Sequence, residues 1–162
     1  MKLKSLVLAA ALLPAFGSAF ADDFNIDLKG GPTLWSAALG ATHTEGNFSD
    51  TFTFTNFDTV GTVWGSLINN GSTVSDVSFT SVTLNGVAVS AVDLGPLSIA
   101  AIFGQEVSGS MTLVVNGIVT GSVASYGGEV SVATPVPEPA TYGMMIGGMG
   151  VLAFLARRRK QQ

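Results

Sequence analysis

The sequence predicts an all-β protein: a single antiparallel β-sandwich domain, flanked by an N-terminal signal peptide and a C-terminal single transmembrane helix. Three observations carry this expectation. Residues 22 to 135 hold 28 Ser plus Thr and 15 Gly and show no apolar stripe of helical period. Short segments rich in Val, Phe and Thr recur along them at close spacing, as in a sandwich. Asn-Gly pairs join several of these segments, and Asn-Gly supplies the positive φ angles of a two-residue hairpin. A stretch of this size holds one core rather than two.

The first element is the leader, residues 1 to 21. Lys2 and Lys4 precede the apolar run SLVLAAALLPAFGSAFA, and Ala19-Phe20-Ala21 fits the small-residue pattern of signal peptidase cleavage after Ala21. The run is short of a membrane span, and Pro14 interrupts it. Residues 22 to 134 follow as the secreted domain.

Within that domain the expected strands are 24 to 28, 49 to 55, 60 to 68, 74 to 84, 87 to 92, 108 to 115, 118 to 126 and 129 to 133. Asn85-Gly86 and Asn116-Gly117 are read as hairpin turns, with Asn70-Gly71 as a looser third. At Asn85-Gly86 the expected register pairs Leu84 with Val87 and Val82 with Val89, gathering four aliphatic side chains on one face. Alternation places Phe48, Asp50, Phe52 and Phe54 on one side of their strand and Ser49, Thr51, Thr53 and Thr55 on the other. Asp50 then shares a face with aromatic rings. A buried carboxylate needs partners, and backbone N–H groups, Lys29, a calcium ion or a bulge that turns Asp50 outward would each resolve it.

The last element spans 135 to 162. Pro135, Pro137 and Pro139 end regular structure, and the uncharged run 140 to 156 meets Arg157, Arg158, Arg159 and Lys160. The run just reaches spanning length, and the cations act as a cytoplasmic stop-transfer signal, which gives a type I precursor in the inner membrane. Gly143 and Gly147 form a weak GxxxG helix-contact pattern.

Charge placement excludes several functions. Residues 22 to 135 carry ten acids against Lys29 alone, a net charge of −9. Nucleic-acid binding needs clustered Lys and Arg, so it is excluded. The chain has no Cys and a single His, which excludes thiol catalysis, zinc fingers, iron–sulfur sites and multi-His metal centres. No catalytic, cofactor-binding or metal-binding set is read from the residues, and no cofactor is expected. Carboxylate chemistry is the one enzymatic option left, from Asp50, Asp58, Asp76 and Asp93, but none lies in a recognisable motif. The protein is expected not to be an enzyme. His43 reads as a solvated loop residue. Trp35, Trp64 and Tyr126 read as core, or as a sugar-stacking platform if exposed together. The single Thr51, Thr53, Thr55 row is ordinary for a wet strand face and too little for ice binding.

Val136-Pro137-Glu138-Pro139, the Gly-rich apolar run and the terminal Arg cluster resemble the PEP-CTERM sorting signal of Gram-negative bacteria. The resemblance implies recognition by exosortase, an integral-membrane enzyme that removes such tails and is associated with exopolysaccharide production. This tail is also labelled an ice-binding protein C-terminal domain, a label that says nothing of ice. Phe48, Asp50 and Phe52, with the later SVTLNG and TLVVNG segments, resemble the FxDxF subfamily of PEP-CTERM proteins, which implies no activity. The expected partners are signal peptidase, exosortase, the inner membrane transiently, and exopolysaccharide. The mature form is expected at the cell surface or outside the cell, in a biofilm matrix. A surface-presented carbohydrate-binding module is the alternative.

Overall fold

The computed structural model describes residues 20–69, 71–136 and 139–159. Residues 1 to 19 of the expected signal peptide, Ala19 among them, and the motif residues Pro137 and Glu138 lie outside the described residues, as do Asn70 and Lys160. The last two leader residues, Phe20 and Ala21, are described and open β1 opposite Phe48 and Ser49, so the expected cleavage after Ala21 falls within that strand. In chain order the elements are β1 (Phe20–Asp27), β2 (Lys29–Gly30), β3 (Leu34–Thr55), β4 (Val60–Asn69), β5 (Asp76–Leu84), β6 (Val87–Ala88), β7 (Ser90–Asp93), β8 (Ser98–Ser108), β9 (Met111–Ala133) and α1 (Pro139–Arg159).

The all-β expectation holds, but the two separate sheets of a sandwich do not form. All nine strands join in one hydrogen-bonded sheet with the path β1-β3-β9-β4-β8-β7, with β2 beside β3, β5 attached to β9 and β6 attached to β5. The reason is the length of two strands. β3 has 22 residues and β9 has 23, and they pair antiparallel from Leu34↔Ala133 to Phe54↔Met111. The register shifts between Thr44 and Gly46, where β9 carries extra residues around Gly121, and both glycines have positive φ. Such a bulge bends the strands it interrupts.

Each long strand therefore serves two half-sheets. One runs β1, β3 from Gly46, β9 up to Thr120, β5 and β6. The other runs β2, β3 up to Thr44, β9 from Val123, β4, β8 and β7. The halves meet across the core: Gln105 on β8 donates to the Leu84 carbonyl on β5 at 2.9 Å, and Phe79 on β5 meets Tyr126 on β9 edge-on at 5.4 Å. The sheet is not wholly antiparallel either, because β1 runs parallel to β3.

Alternation in β3 is as expected, with Phe48, Asp50, Phe52 and Phe54 buried and the intervening Ser and Thr half-buried. The Asn85-Gly86 turn also forms as expected. Both residues have positive φ, and Leu84 pairs with Val87. Leu84 and Val82 are buried, but Val87 at the tip is exposed, so only part of the aliphatic face reaches the core. The Asn116-Gly117 turn does not exist. Both residues lie within β9, opposite Ser49 and Phe48. A Cβ at Gly117 would stand 2.5 Å from the Phe48 ring and 2.8 Å from the Ser78 carbonyl, so this glycine serves ring packing rather than a turn. The three strands expected over 108 to 133 are accordingly one from Met111 onward, and β3 before Ser49 and all of β8 but Ser108 went unforeseen because Ala and Gly dilute their alternation.

The tail also departs from expectation. α1 covers the apolar run and ends in Arg157, Arg158 and Arg159, but among the described residues no helix is long and apolar enough to cross a membrane. Gly143, Gly147, Gly148 and Gly150 thin its apolar content, and the arginines occupy its last turn. Its residues from Thr141 onward are exposed.

Replacing Gly117 by Ala is expected to destabilise the domain by about 1–3 kcal/mol, because the Phe48 ring has no room to retreat. A lower denaturant midpoint with an unchanged slope would register it.

A candidate polar cluster in the aromatic core

Bending β3 brings the two sides of its own bulge together. His43, before the bulge, and Asp50, after it, both point into the core, and both are buried. His43 Nε2 lies 2.7 Å from Asp50 Oδ2. Against a carboxylate oxygen this nitrogen carries the hydrogen and donates. The Tyr126 hydroxyl, from β9 opposite Ala41, donates to the same Oδ2. Asp50 Oδ1 is buried with no hydrogen-bond partner.

Aromatic rings enclose the cluster. The His43 ring lies flat on Phe48 at 4.4 Å, and Phe48 in turn stacks on Tyr126 at 5.6 Å. Phe52 and Phe79 present edges to Tyr126. Burial, and then the hydrogen bond to Asp50 with the charges of Asp50 and Asp22, push the Tyr126 hydroxyl far above its ordinary range. A phenolate beside two carboxylates in an apolar shell is strongly disfavoured, so Tyr126 stays a donor.

β1 contributes the fourth member. Its parallel register sets Phe20 opposite Phe48, Asp22 opposite Asp50 and Phe24 opposite Phe52, so Phe20-Ala21-Asp22-Asp23-Phe24 repeats the F-x-D-x-F spacing of β3 on the neighbouring strand. Phe24 stacks on Phe52 at 4.9 Å. The Asp22 carboxylate, though exposed, lies with the His43 and Asp50 ligand atoms inside a group whose members are within 4.8 Å of one another. The repeat was visible in the sequence but straddles the expected leader cleavage after Ala21, which obscured it.

Asp50 is buried as expected, but three of the four expected ways of satisfying it do not occur. No backbone N–H group reaches Asp50 among the described hydrogen bonds, no bulge turns it outward, and Lys29 sits exposed on β2. His43 is a buried strand residue rather than a solvated loop residue. Of the three large aromatics, Tyr126 is core, Trp35 is half-buried against Phe57, and Trp64 is exposed, so no shared stacking platform forms. The remaining acids have local roles. Asp76 accepts from Asn69 and from the Val77 N–H. Asp93 accepts from the Gly95 N–H at 2.9 Å, and the Ser78 hydroxyl, with Gly95 and Ser98, holds its carboxyl below the usual range. Asp58 lines an open groove with Leu28, Lys29, Trp35, Asn56 and Phe57.

Removing Asp50 strands two buried donors. Asp50→Ala is expected to cost about 1–3 kcal/mol, read as a lower denaturant midpoint. Tyr126 predicts an alkaline limit. Its folded-state hydroxyl resists ionisation while the unfolded one ionises near pH ~10, so stability is full below that pH and falls above it by about 1.4 kcal/mol per pH unit. Tyr126→Phe should abolish that slope in unfolding measured from pH ~9 to ~11.

Of the comparisons with known proteins, the one that bears on this chain concerns the tail. Among solved structures, the pre-peptidase C-terminal domain of a collagenase from Bacillus anthracis is similar at 11% identity and TM-score 0.41, covering 70% of this chain and 99% of that one. PliG from Aeromonas hydrophila, a periplasmic inhibitor of g-type lysozyme, is similar at 15% identity and TM-score 0.37, covering 69% and 98%. A mutant of the corresponding inhibitor from Escherichia coli is similar at 14% identity and TM-score 0.32, covering 70% and 99%. No curated protein matches the sequence. Residues 135–160 match the family model of the PEP-CTERM protein-sorting motif. The chain thus carries, after a β domain built on one open sheet, the C-terminal sorting motif of PEP-CTERM proteins.

Proposed function

We propose that this chain is a non-enzymatic exported protein that exosortase trims and releases as a cell-surface or exopolysaccharide-matrix component. The sorting motif at 135–160 carries the reading. Signal peptidase removes residues 1 to 21, and the FxDxF resemblance assigns the body to a group defined by how it is delivered. Val136-Pro137-Glu138-Pro139 is the recognition element, and three nearby prolines cannot extend a ladder or the helix upstream. The exposed apolar residues of α1 hold the tail at the inner membrane, with Arg157 to Lys160 on the cytoplasmic side.

Two properties of the body suit a released product. Among the described residues, every buried apolar residue of its core lies between Leu28 and Val132, so tail removal takes none of these from it. Its net charge of −9 over residues 22 to 135 keeps it soluble and away from anionic membrane surfaces.

The alternative, a surface-presented carbohydrate-binding module, draws on the groove beside Trp35. There Lys29, Asn56 and Asp58 offer polar groups next to an indole. That combination suits a sugar ring. It is one small site, whereas the delivery signal accounts for the whole tail.

Replacing Glu138 by Ala, or deleting the exosortase, is expected to leave a full-length precursor in the membrane fraction. The unaltered protein loses residues beyond the motif and leaves that fraction. Mass spectrometry of the C-terminus in native cells reads the outcome, and retention of Arg157 to Lys160 at steady state in exosortase-positive cells would refute sorting.

A further inference from the structure

The pairing of Asp22 with Asp50 is unexplained by sorting and by the core alone. Like charges directly opposite on neighbouring strands destabilise a sheet, and here one of them is fully buried. The one Lys or Arg of residues 22 to 135, Lys29, lies on β2 beyond the far end of β1. His43 and Tyr126 satisfy Asp50 Oδ2 alone, so Oδ1 is left in the core without a partner. A carboxylate oxygen in that position is costly unless something positive meets it.

We propose that Asp22, His43 and Asp50 form a binding site for one first-row divalent metal ion, of which zinc is the best fit. Their ligand atoms already lie within 4.8 Å of one another, and tetrahedral zinc with N and O ligands needs them roughly 3.3 Å apart. The 2.7 Å His43–Asp50 contact must open slightly, and the Asp22 side chain, being exposed, is free to swing inward. Two carboxylates cancel the charge of the ion, so its entry removes the repulsion that the parallel register creates. The imidazole selects for zinc and its neighbours over calcium and magnesium, which prefer oxygen alone. On binding, the His43 proton moves to Nδ1 and the Nε2 lone pair goes to the metal, with no net proton released from the neutral ring. The Tyr126 hydroxyl keeps its bond to Asp50 Oδ2 and orients that ligand from behind, while Phe48 fixes the plane of the imidazole. A fourth position is left for water.

The test uses the full chain in mild detergent, stripped of metal with chelator and titrated with zinc by calorimetry and by thermal melting. One equivalent is expected to bind and to raise the melting temperature through mass action. Calcium at the same concentration is expected to do neither. Asp22→Asn, at an exposed position, should weaken zinc binding by about tenfold or more, given that loss of even an outer-sphere partner costs 10–100-fold. Its metal-free form should melt at the same temperature as the parent or higher, because the like-charge pair is gone. His43→Gln should also abolish binding. Absence of saturable zinc uptake, retention of parental affinity in Asp22→Asn, calcium binding in preference to zinc, or a metal-free Asp22→Asn less stable than the parent would each overturn the proposal.

Discussion

The continuous pairing of β3 with β9 is the constraint on which the rest of this structure depends. Twenty of the residues from Leu34 to Phe54 have partners on β9, and every other strand except β6, β7 and β8 attaches to one of these two. A pair so long cannot stay flat in a domain of this size, because its apolar face would extend past any cover. The bulge at Thr44 to Gly46 resolves this by bending the pair, so that each half-sheet covers the apolar face of the other. One sheet then does what two do in a sandwich, and the strand length sets the position of the fold.

The polar cluster follows from that bend. His43 and Asp50 are seven residues apart on a single strand, a separation that would hold their side chains well apart if the strand were straight. The bulge changes the phase of alternation between them, so that an odd-numbered residue before it and even-numbered residues after it both face the core. Tyr126 arrives from the other half of β9 by the same route. Three polar groups are therefore concentrated beside the bulge, and flat aromatic contacts shield them. Hydrogen bonds in such a shell are strong and their loss is costly, which makes the bend and the cluster mutually supporting.

What the sequence revealed divides along the same line. The alternation of Phe48 to Thr55 and the turn at Asn85-Gly86 depend on adjacent residues, and both were legible. Asn116-Gly117 was misread because the same two residues serve a turn or a close ring contact, and only the Phe48 ring on the paired strand distinguishes them. His43 looked like a loop residue because Gly40, Gly46 and the polar residues between them break the apolar alternation; those features mark the bulge. The partners of Asp50 were invisible for a deeper reason. Tyr126 is 76 residues away in sequence, and Asp22 meets Asp50 only through a parallel register that no local pattern announces.

The tail stands apart from all of this, and the energetics explain why it can. Met144, Ile146, Leu152 and Phe154 on α1 are each more than half exposed, while the buried core ends at Val132. An apolar helix that buries little against its own body gains nothing from the domain's folding and gives nothing to it. Its favourable environment has to come from elsewhere, either a lipid surface or a protein that receives it. Pro135 and Pro137 lie between core and helix and Pro139 opens the helix, and together they prevent β9 from running on into the helix or the helix from reaching back into the sheet. Fold and address are thus separable by physics as well as by sequence: a cut in this segment would leave Val132 and Val130 packed as before, and the body would keep its acidic, soluble surface.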